Sequence, residues 1–211
     1  MDSSVAAQIG PILPWLDLFG IAVFAATGAL AATRHQQTIV TATFFALITG
    51  VGGGTVRDLL IGAPVFWVHD ATVASLCLGM SAIVWITPQH WWSDRTFAWL
   101  DALGLAAYAA FGAAKSLGFG IPPVPAAVMG VVTACVGGII RDVLAGEPSI
   151  LMRPELYVTA AALTASLYVL LSLLGLPPYA AGLASAAAGF ALRGAAMIWK
   201  WGLPAYRGGK R

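Results

Sequence analysis

Apolar residues run through this chain in blocks of about twenty, the length that carries an α-helix across the roughly 30 Å hydrocarbon core of a bilayer. Seven such blocks are predicted, at 12–33, 38–61, 70–87, 97–117, 122–145, 155–174 and 178–200. The breaks between them carry helix-stopping chemistry: Arg34-His35-Gln36-Gln37, Gly62-Ala63-Pro64, Pro88 to Arg95, Gly118 to Pro123, Gly146-Glu147-Pro148 and Leu176-Pro177-Pro178. The first block is read as a retained span and not a cleaved leader, because no Lys or Arg precedes it and it has an internal copy.

That copy is the most informative feature of the pattern. Sliding the chain by 84 residues without a gap places Trp15-Leu16-Asp17 on Trp99-Leu100-Asp101, Gly20 on Gly104, Gly28 on Gly112 and Thr49 on Thr133. The same shift superposes Gly53-Gly54 on Gly137-Gly138, Arg57-Asp58 on Arg141-Asp142, Gly62 on Gly146 and Pro64 on Pro148. Each copy holds three spans, an odd number, so the second enters the membrane from the opposite side to the first. The predicted fold is therefore an all-α integral membrane protein of two inverted three-helix repeats, 12–87 and 97–174, closed by a seventh helix at 178–200. The whole chain, 1–211, forms a single membrane domain ending in a basic tail, 201–211.

Composition agrees with the bilayer as solvent. Of 211 residues 59% are hydrophobic and only 9% charged, with mean hydropathy +0.84, a balance no soluble domain of this size can bury. Net charge is only +2, and no basic run exceeds Lys210-Arg211, so nucleic acid is not an expected partner. Cations near span ends are lopsided: Arg34, Arg95, Arg141, Arg153, Lys200, Arg207, Lys210 and Arg211 fall on one side, Arg57 and Lys115 on the other. The positive-inside rule then puts the N-terminus outside and the C-terminus in the cytoplasm. Trp67, Trp91, Trp92 and Trp201 stand near span ends, where tryptophans anchor at the interface. Cys77 and Cys135 sit in apolar blocks and read as buried small hydrophobes. His35, His69 and His90 are scattered over loops, and no HExxH, GxSxG or catalytic carboxylate pair is present, so neither an enzyme nor a cofactor is implied.

The second span of each half carries the chemistry, in GVGGGTVRDLLIGAP from Gly50 and CVGGIIRDVLAGEP from Cys135. Each helical glycine costs about 1 kcal/mol relative to alanine, so something offsets the cluster. One role for Gly52, Gly53, Gly54, Gly137 and Gly138 is to kink or unwind the helix, freeing carbonyls around Thr49 and Thr133 toward a wet path, with the Thr49, Thr55 and Thr133 hydroxyls as further oxygens. The other is close helix packing. Arg57, Asp58, Arg141 and Asp142 are gate or vestibule groups, or else helix-end locks; neighbours on a helix diverge by about 100°, so each is expected to find its partner elsewhere. Asp101, Gly104, Tyr108, Gly112 and Lys115 share a face of about 80°, repeated by Asp17, Gly20, Phe24 and Gly28. Lys115 faces Ala31 in the first copy, so it breaks the symmetry either as a gating charge or as a snorkelling lysine. Arg193 in the seventh span is expected to meet an Asp or to lie near the interface.

With its duplicated glycine and Arg-Asp strings, the chain resembles the prokaryotic branch of the trimeric intracellular cation (TRIC) channels, whose bacterial members are also known as glycine transporters. The resemblance covers about 12–200. It implies a homotrimer in a bacterial or archaeal plasma membrane, one pore per protomer, second and fifth helices kinked at their glycines, and passage of K⁺ and Na⁺ with no other metal. It also implies that Arg57, Asp58, Arg141 and Asp142 lie in or beside the path, with Val136 standing where the first copy has Gly52. A secondary transporter for glycine or another small solute is the alternative that inverted repeats support equally.

Overall fold

The computed structural model describes residues 13–152 and 154–204. Arg153, Arg207, Lys210 and Arg211 of the charge count, and the tail beyond Pro204, lie outside the described residues. Among the described residues seven α-helices follow one another: α1 (Leu13–Arg34), α2 (Ile39–Leu60), α3 (Ala71–Ile86), α4 (Asp94–Gly118), α5 (Pro123–Ala145), α6 (Tyr157–Leu173) and α7 (Pro178–Trp199). Short 3₁₀ turns at Gln89–Trp91 and Ile150–Met152 precede α4 and α6.

Local chemistry sets the boundaries. Thr38, Asp70 and Ser93 cap α2, α3 and α4 by accepting from the backbone N–H groups of Thr41, Thr72 and Thr96. Proline at the first turn opens α5 and α7, where its missing N–H would be unpaired in any case. Gly62 and Gly146, equivalent in the two halves, take left-handed φ values of 69° and 71° just beyond α2 and α5. The α4 helix starts earlier than its apolar block because the Ser93 cap recruits the polar first turn Asp94-Arg95-Thr96.

The Asp70 cap supplies a pH test. The Thr72 hydroxyl, and then its N–H, hold the Asp70 carboxyl below the usual carboxylate range. A folded value below the unfolded one means that the cap contributes fully above the unfolded range and is lost as pH falls through the folded one. The protection factor of the Thr72 amide, its exchange corrected for the intrinsic pH dependence, should therefore fall on acidification, and Asp70→Asn should remove that dependence; an unchanged pH profile in the variant contradicts the assignment.

Among the described residues five helices are long and apolar enough to cross a bilayer, while α3 and α6 have only 16 and 17 residues. At 1.5 Å per residue these two reach about 25 Å, short of a full span. They occupy equivalent places, third in each half, so the shortening is part of the repeat. Within each half the first helix packs on the second and third, and the halves join through α1 against α4 and α2 against α5. The α7 helix packs on α4 and α6 and has no counterpart. The protein is thus two inverted triplets and a closing helix.

The joints between halves show the symmetry at atomic scale. Where α1 crosses α4, Phe24 and Tyr108, equivalent residues, stack with ring centroids 5.1 Å apart. Gly20 faces the Tyr108 ring and Gly104 the Phe24 ring. Burial here is nearly complete, with Phe24 and Tyr108 each 1% exposed.

Candidate functional site: two charge clusters and a vestibule

The glycine strings meet where α2 crosses α5. A Cβ at Gly53 would overlap the Thr133 carbonyl oxygen, and one at Gly137 would stand 2.5 Å from the Thr49 carbonyl oxygen. The Thr49 and Thr133 hydroxyls in turn abut Gly28 and Gly112 of their own halves. Each threonine is therefore held between two glycines, one from each half, and the two arrangements are equivalent. Both helices remain helical without interruption through Gly50–Gly54 and Gly137–Gly138. Of the two roles expected, kinking or unwinding and close packing, no turn is unwound there, and the would-be Cβ overlaps support the packing role, by which the glycines offset their propensity cost in letting backbones touch. Gly52 lies 3.0 Å by its would-be Cβ from Ile140, Gly54 faces the Phe66 ring, and Gly138 faces Tyr157. Thr133 Oγ1 donates to the Met129 carbonyl and Thr55 Oγ1 to that of Val51, whereas Thr49 Oγ1 is buried without a partner.

Toward one end of this crossing lies a sealed cluster. Arg57 and Asp58 are both fully buried, and the Arg57 guanidinium turns back along its own helix to donate from Nε to Asp58 Oδ1 at 2.9 Å, with Nη2 in ion-pair contact with the same oxygen at 2.8 Å. Lys115 Nζ sits 2.9 Å from both Asp58 oxygens, and Asp58 Oδ2 also accepts the Phe66 N–H at 3.1 Å. Phe111 and Phe66 cover the guanidinium, with centroids 5.2 and 5.9 Å from Cζ. Lys115 is 5% exposed and does not snorkel.

The equivalent cluster in the second half is built alike and faces open space. Arg141 Nε donates to Asp142 Oδ1 at 3.0 Å with Nη2 in ion-pair contact at 2.9 Å, and Asp142 Oδ2 accepts the Ile150 N–H at 3.0 Å. Arg141 Nη1 reaches further, to Asp101 Oδ1 at 2.8 Å and Thr27 Oγ1 at 3.1 Å. Phe97 lies under the guanidinium, 4.7 Å from Cζ to centroid. These residues floor a cavity of about 1320 Å³ whose walls include Arg34, Asp94, Glu147, Arg193 and Lys200. Its mouth is tied by Arg34–Asp94 at 3.0 Å, His35–Glu147 at 3.5 Å and the Arg193–Glu155 pair.

Two sequence expectations change here. Neighbours 100° apart do pair, because an arginine side chain is long enough to fold back over one residue, and each carboxylate's second oxygen is then spent on a loop N–H eight residues on. Arg193 finds a glutamate, Glu155, and not an aspartate. The clusters also differ: Asp101 bonds Arg141, whereas its counterpart Asp17, half-buried, forms no ion pair with Arg57 among the described residues, and Lys115 joins that cluster instead. Thr27, Glu155 and Tyr157 were not singled out by the sequence. The 84-residue comparison carries their signal, since Thr27 stands opposite Phe111, and Tyr157 opposite Val73, where the halves disagree.

Inverted triplets, a buried acid-base cluster at each end and a deep cavity on one side define a polytopic membrane protein of the solute-moving class. The family profile described as "Glycine transporter" matches the chain twice, at 14–89 and 98–172. The TRIC trimeric intracellular cation channel orthologue from Rhodobacter sphaeroides superposes with TM-score 0.84 at 41% identity, covering 90% of this chain and 99% of that one. A UPF0126 membrane protein of Vibrio cholerae is 34% identical over 212 residues, 98% of this chain and 87% of the relative. The UPF0126 inner membrane protein YadS of Escherichia coli is 40% identical over 149 residues, 69% of this chain and 72% of the relative. The chain belongs to this family, the prokaryotic TRIC branch.

Proposed function

We propose that the protein is a monovalent cation channel, passing K⁺ and also Na⁺, that works as a homotrimer in the bacterial inner membrane with one pore in each protomer. The observation that carries this reading is the likeness to the Rhodobacter sphaeroides cation channel over nine-tenths of the chain. The geometry supports it: the vestibule leads to Asp101, Arg141 and Asp142. The α2/α5 crossing lies beyond that floor, and the Arg57, Asp58 and Lys115 cluster closes the far end. The vestibule gathers Arg34, Arg95, Arg141, Arg193 and Lys200 on the side of the C-terminus. The positive-inside rule makes that side cytoplasmic and the N-terminus external.

A carrier of glycine is the second reading, favoured by the description of the matching family profile. Purified protein in a planar bilayer, with K⁺ on one side and a large organic cation on the other, separates the two. Unitary current steps carried by K⁺ are expected. No current, together with saturable glycine uptake into liposomes, overturns the channel in favour of the carrier.

A further inference from the structure

The second half reaches into the first through one buried hydroxyl. Tyr108 of α4 crosses the joint between the halves and donates its hydroxyl to the Gly50 carbonyl of α2. In an unbroken helix that carbonyl also accepts from the N–H four residues on, at Gly54, so both lone pairs of one oxygen are used. Gly50 is enclosed on its other side as well: a Cβ there would stand 3.1 Å from Cys77 Sγ of α3 and 3.3 Å from the Ile21 carbonyl oxygen of α1. The hydroxyl therefore anchors the head of Gly50-Val51-Gly52-Gly53-Gly54, four glycines in five residues, the stretch of α2 with the least helical preference of its own. The second half has neither part of this joint. At the 84-residue shift Phe24 stands for Tyr108, Ala134 for Gly50 and Val136 for Gly52. The α5 helix thus keeps only Gly137 and Gly138 of the run, and Phe24 has no hydroxyl to offer it. Of the two crossing helices, the weaker one is the one that is tied.

We infer that Tyr108 is a positioning residue for conduction: its hydroxyl holds the glycine run of α2 against α5 in the unbroken form seen here, and its release lets α2 bend at Gly52, Gly53 and Gly54 and loosens the crossing. The consequence for current rests on the channel reading, in which the α2/α5 crossing lies between the vestibule and the sealed Arg57 cluster. The α2 helix is then the moving side of the crossing and α5 the fixed wall. The two inverted halves share a fold but divide the labour, and a single phenolic oxygen marks which of them moves.

The test is hydrogen–deuterium exchange of the purified protein in mild detergent, read peptide by peptide in wild type, Tyr108→Phe and Phe24→Leu. Tyr108→Phe removes the hydroxyl and keeps the ring. Amides of residues 51–55 should then exchange about fivefold faster, the net worth of one hydrogen bond, while those of 137–140 stay as in wild type. Phe24→Leu removes the ring stacked 5.1 Å from Tyr108 and keeps the hydroxyl, so it should lower the unfolding midpoint without a rise confined to α2. In a planar bilayer Tyr108→Phe should raise the open probability about fivefold and leave the unitary current as it was, because the side chain is buried away from the vestibule lining. Exchange at 51–55 equal to wild type overturns the restraint. So does a rise shared by every helix, which would mean that the hydroxyl only stabilises the core. A selective rise with unchanged open probability overturns the part assigned to Tyr108 in conduction. The exchange readout involves no current: a selective rise in a protein that gives no unitary steps sinks the channel and leaves the restraint on α2. Unitary steps with exchange unchanged by Tyr108→Phe sink the restraint and leave the channel.

Discussion

Gly53→Ala is expected to cost about 3 kcal/mol of folding stability or to leave the protein aggregated in mild detergent, because the added methyl overlaps the Thr133 carbonyl oxygen. Alanine in a helix gains about 1 kcal/mol over glycine, so the clash outweighs the propensity gain. A backbone oxygen inside a helix cannot swing away as a side chain can, and relief requires α2 and α5 to separate along their whole contact. Gly137→Ala should behave alike, since its Cβ would meet the Thr49 carbonyl oxygen at 2.5 Å. Gly79 supplies the control: it lies within α3 with nothing inside 4 Å of its Cβ position, so Gly79→Ala should be neutral or stabilising. The measurement is the monodisperse fraction on size exclusion together with the unfolding midpoint. Equal behaviour of Gly53→Ala and Gly79→Ala would return the α2 glycines to a role other than close approach.

Asp58→Asn should be the most damaging substitution of a charged residue. It leaves Arg57 and Lys115, both buried, facing each other without the one carboxylate they share. Stripping a buried cation of its partner costs about 3–5 kcal/mol, and here two lose it at once. Lys115→Ala is the informative contrast: Arg57 and Asp58 remain as a neutral pair, so only a charge-assisted bond of about 1.5–3 kcal/mol is removed. Lys115→Ala should therefore fold, and adding it to Asp58→Asn should partly rescue the latter. If the double variant is no more stable than Asp58→Asn alone, the charge argument is wrong.

Much of the architecture was legible because duplication wrote it twice. The Trp-Leu-Asp, glycine and Arg-Asp coincidences at 84 residues give both the number of spans per half and the inversion. The short α3 and α6 were placed to within two residues, 70–87 against Ala71–Ile86 and 155–174 against Tyr157–Leu173, with Leu156 an apolar flank that read as span. Among the site residues, Arg57, Asp58, Arg141, Asp142, Asp101 and Lys115 were all named, but their pairing was not. Pairing depends on side-chain reach and on which helix faces which, and spacing along one helix reports neither. The glycines were singled out by an uncompensated propensity cost that two remedies fit, and the α2/α5 crossing supplies direct support for one of them, close approach. Tyr157 escaped because an apolar block hides an aromatic hydroxyl; its absence from the first half was the available clue.

Asp58 and Asp142 each accept a backbone N–H from the loop ahead, at Phe66 and Ile150. Any residue except proline supplies the same amide hydrogen, so beyond that exclusion this joint imposes nothing on the side chains of either loop. The two loops accordingly differ, Phe66-Trp67 in one half and Ile150-Leu151 in the other, while the joint itself is the same in both. The halves could thus become different faces of the same machine without loosening the point about which each is built.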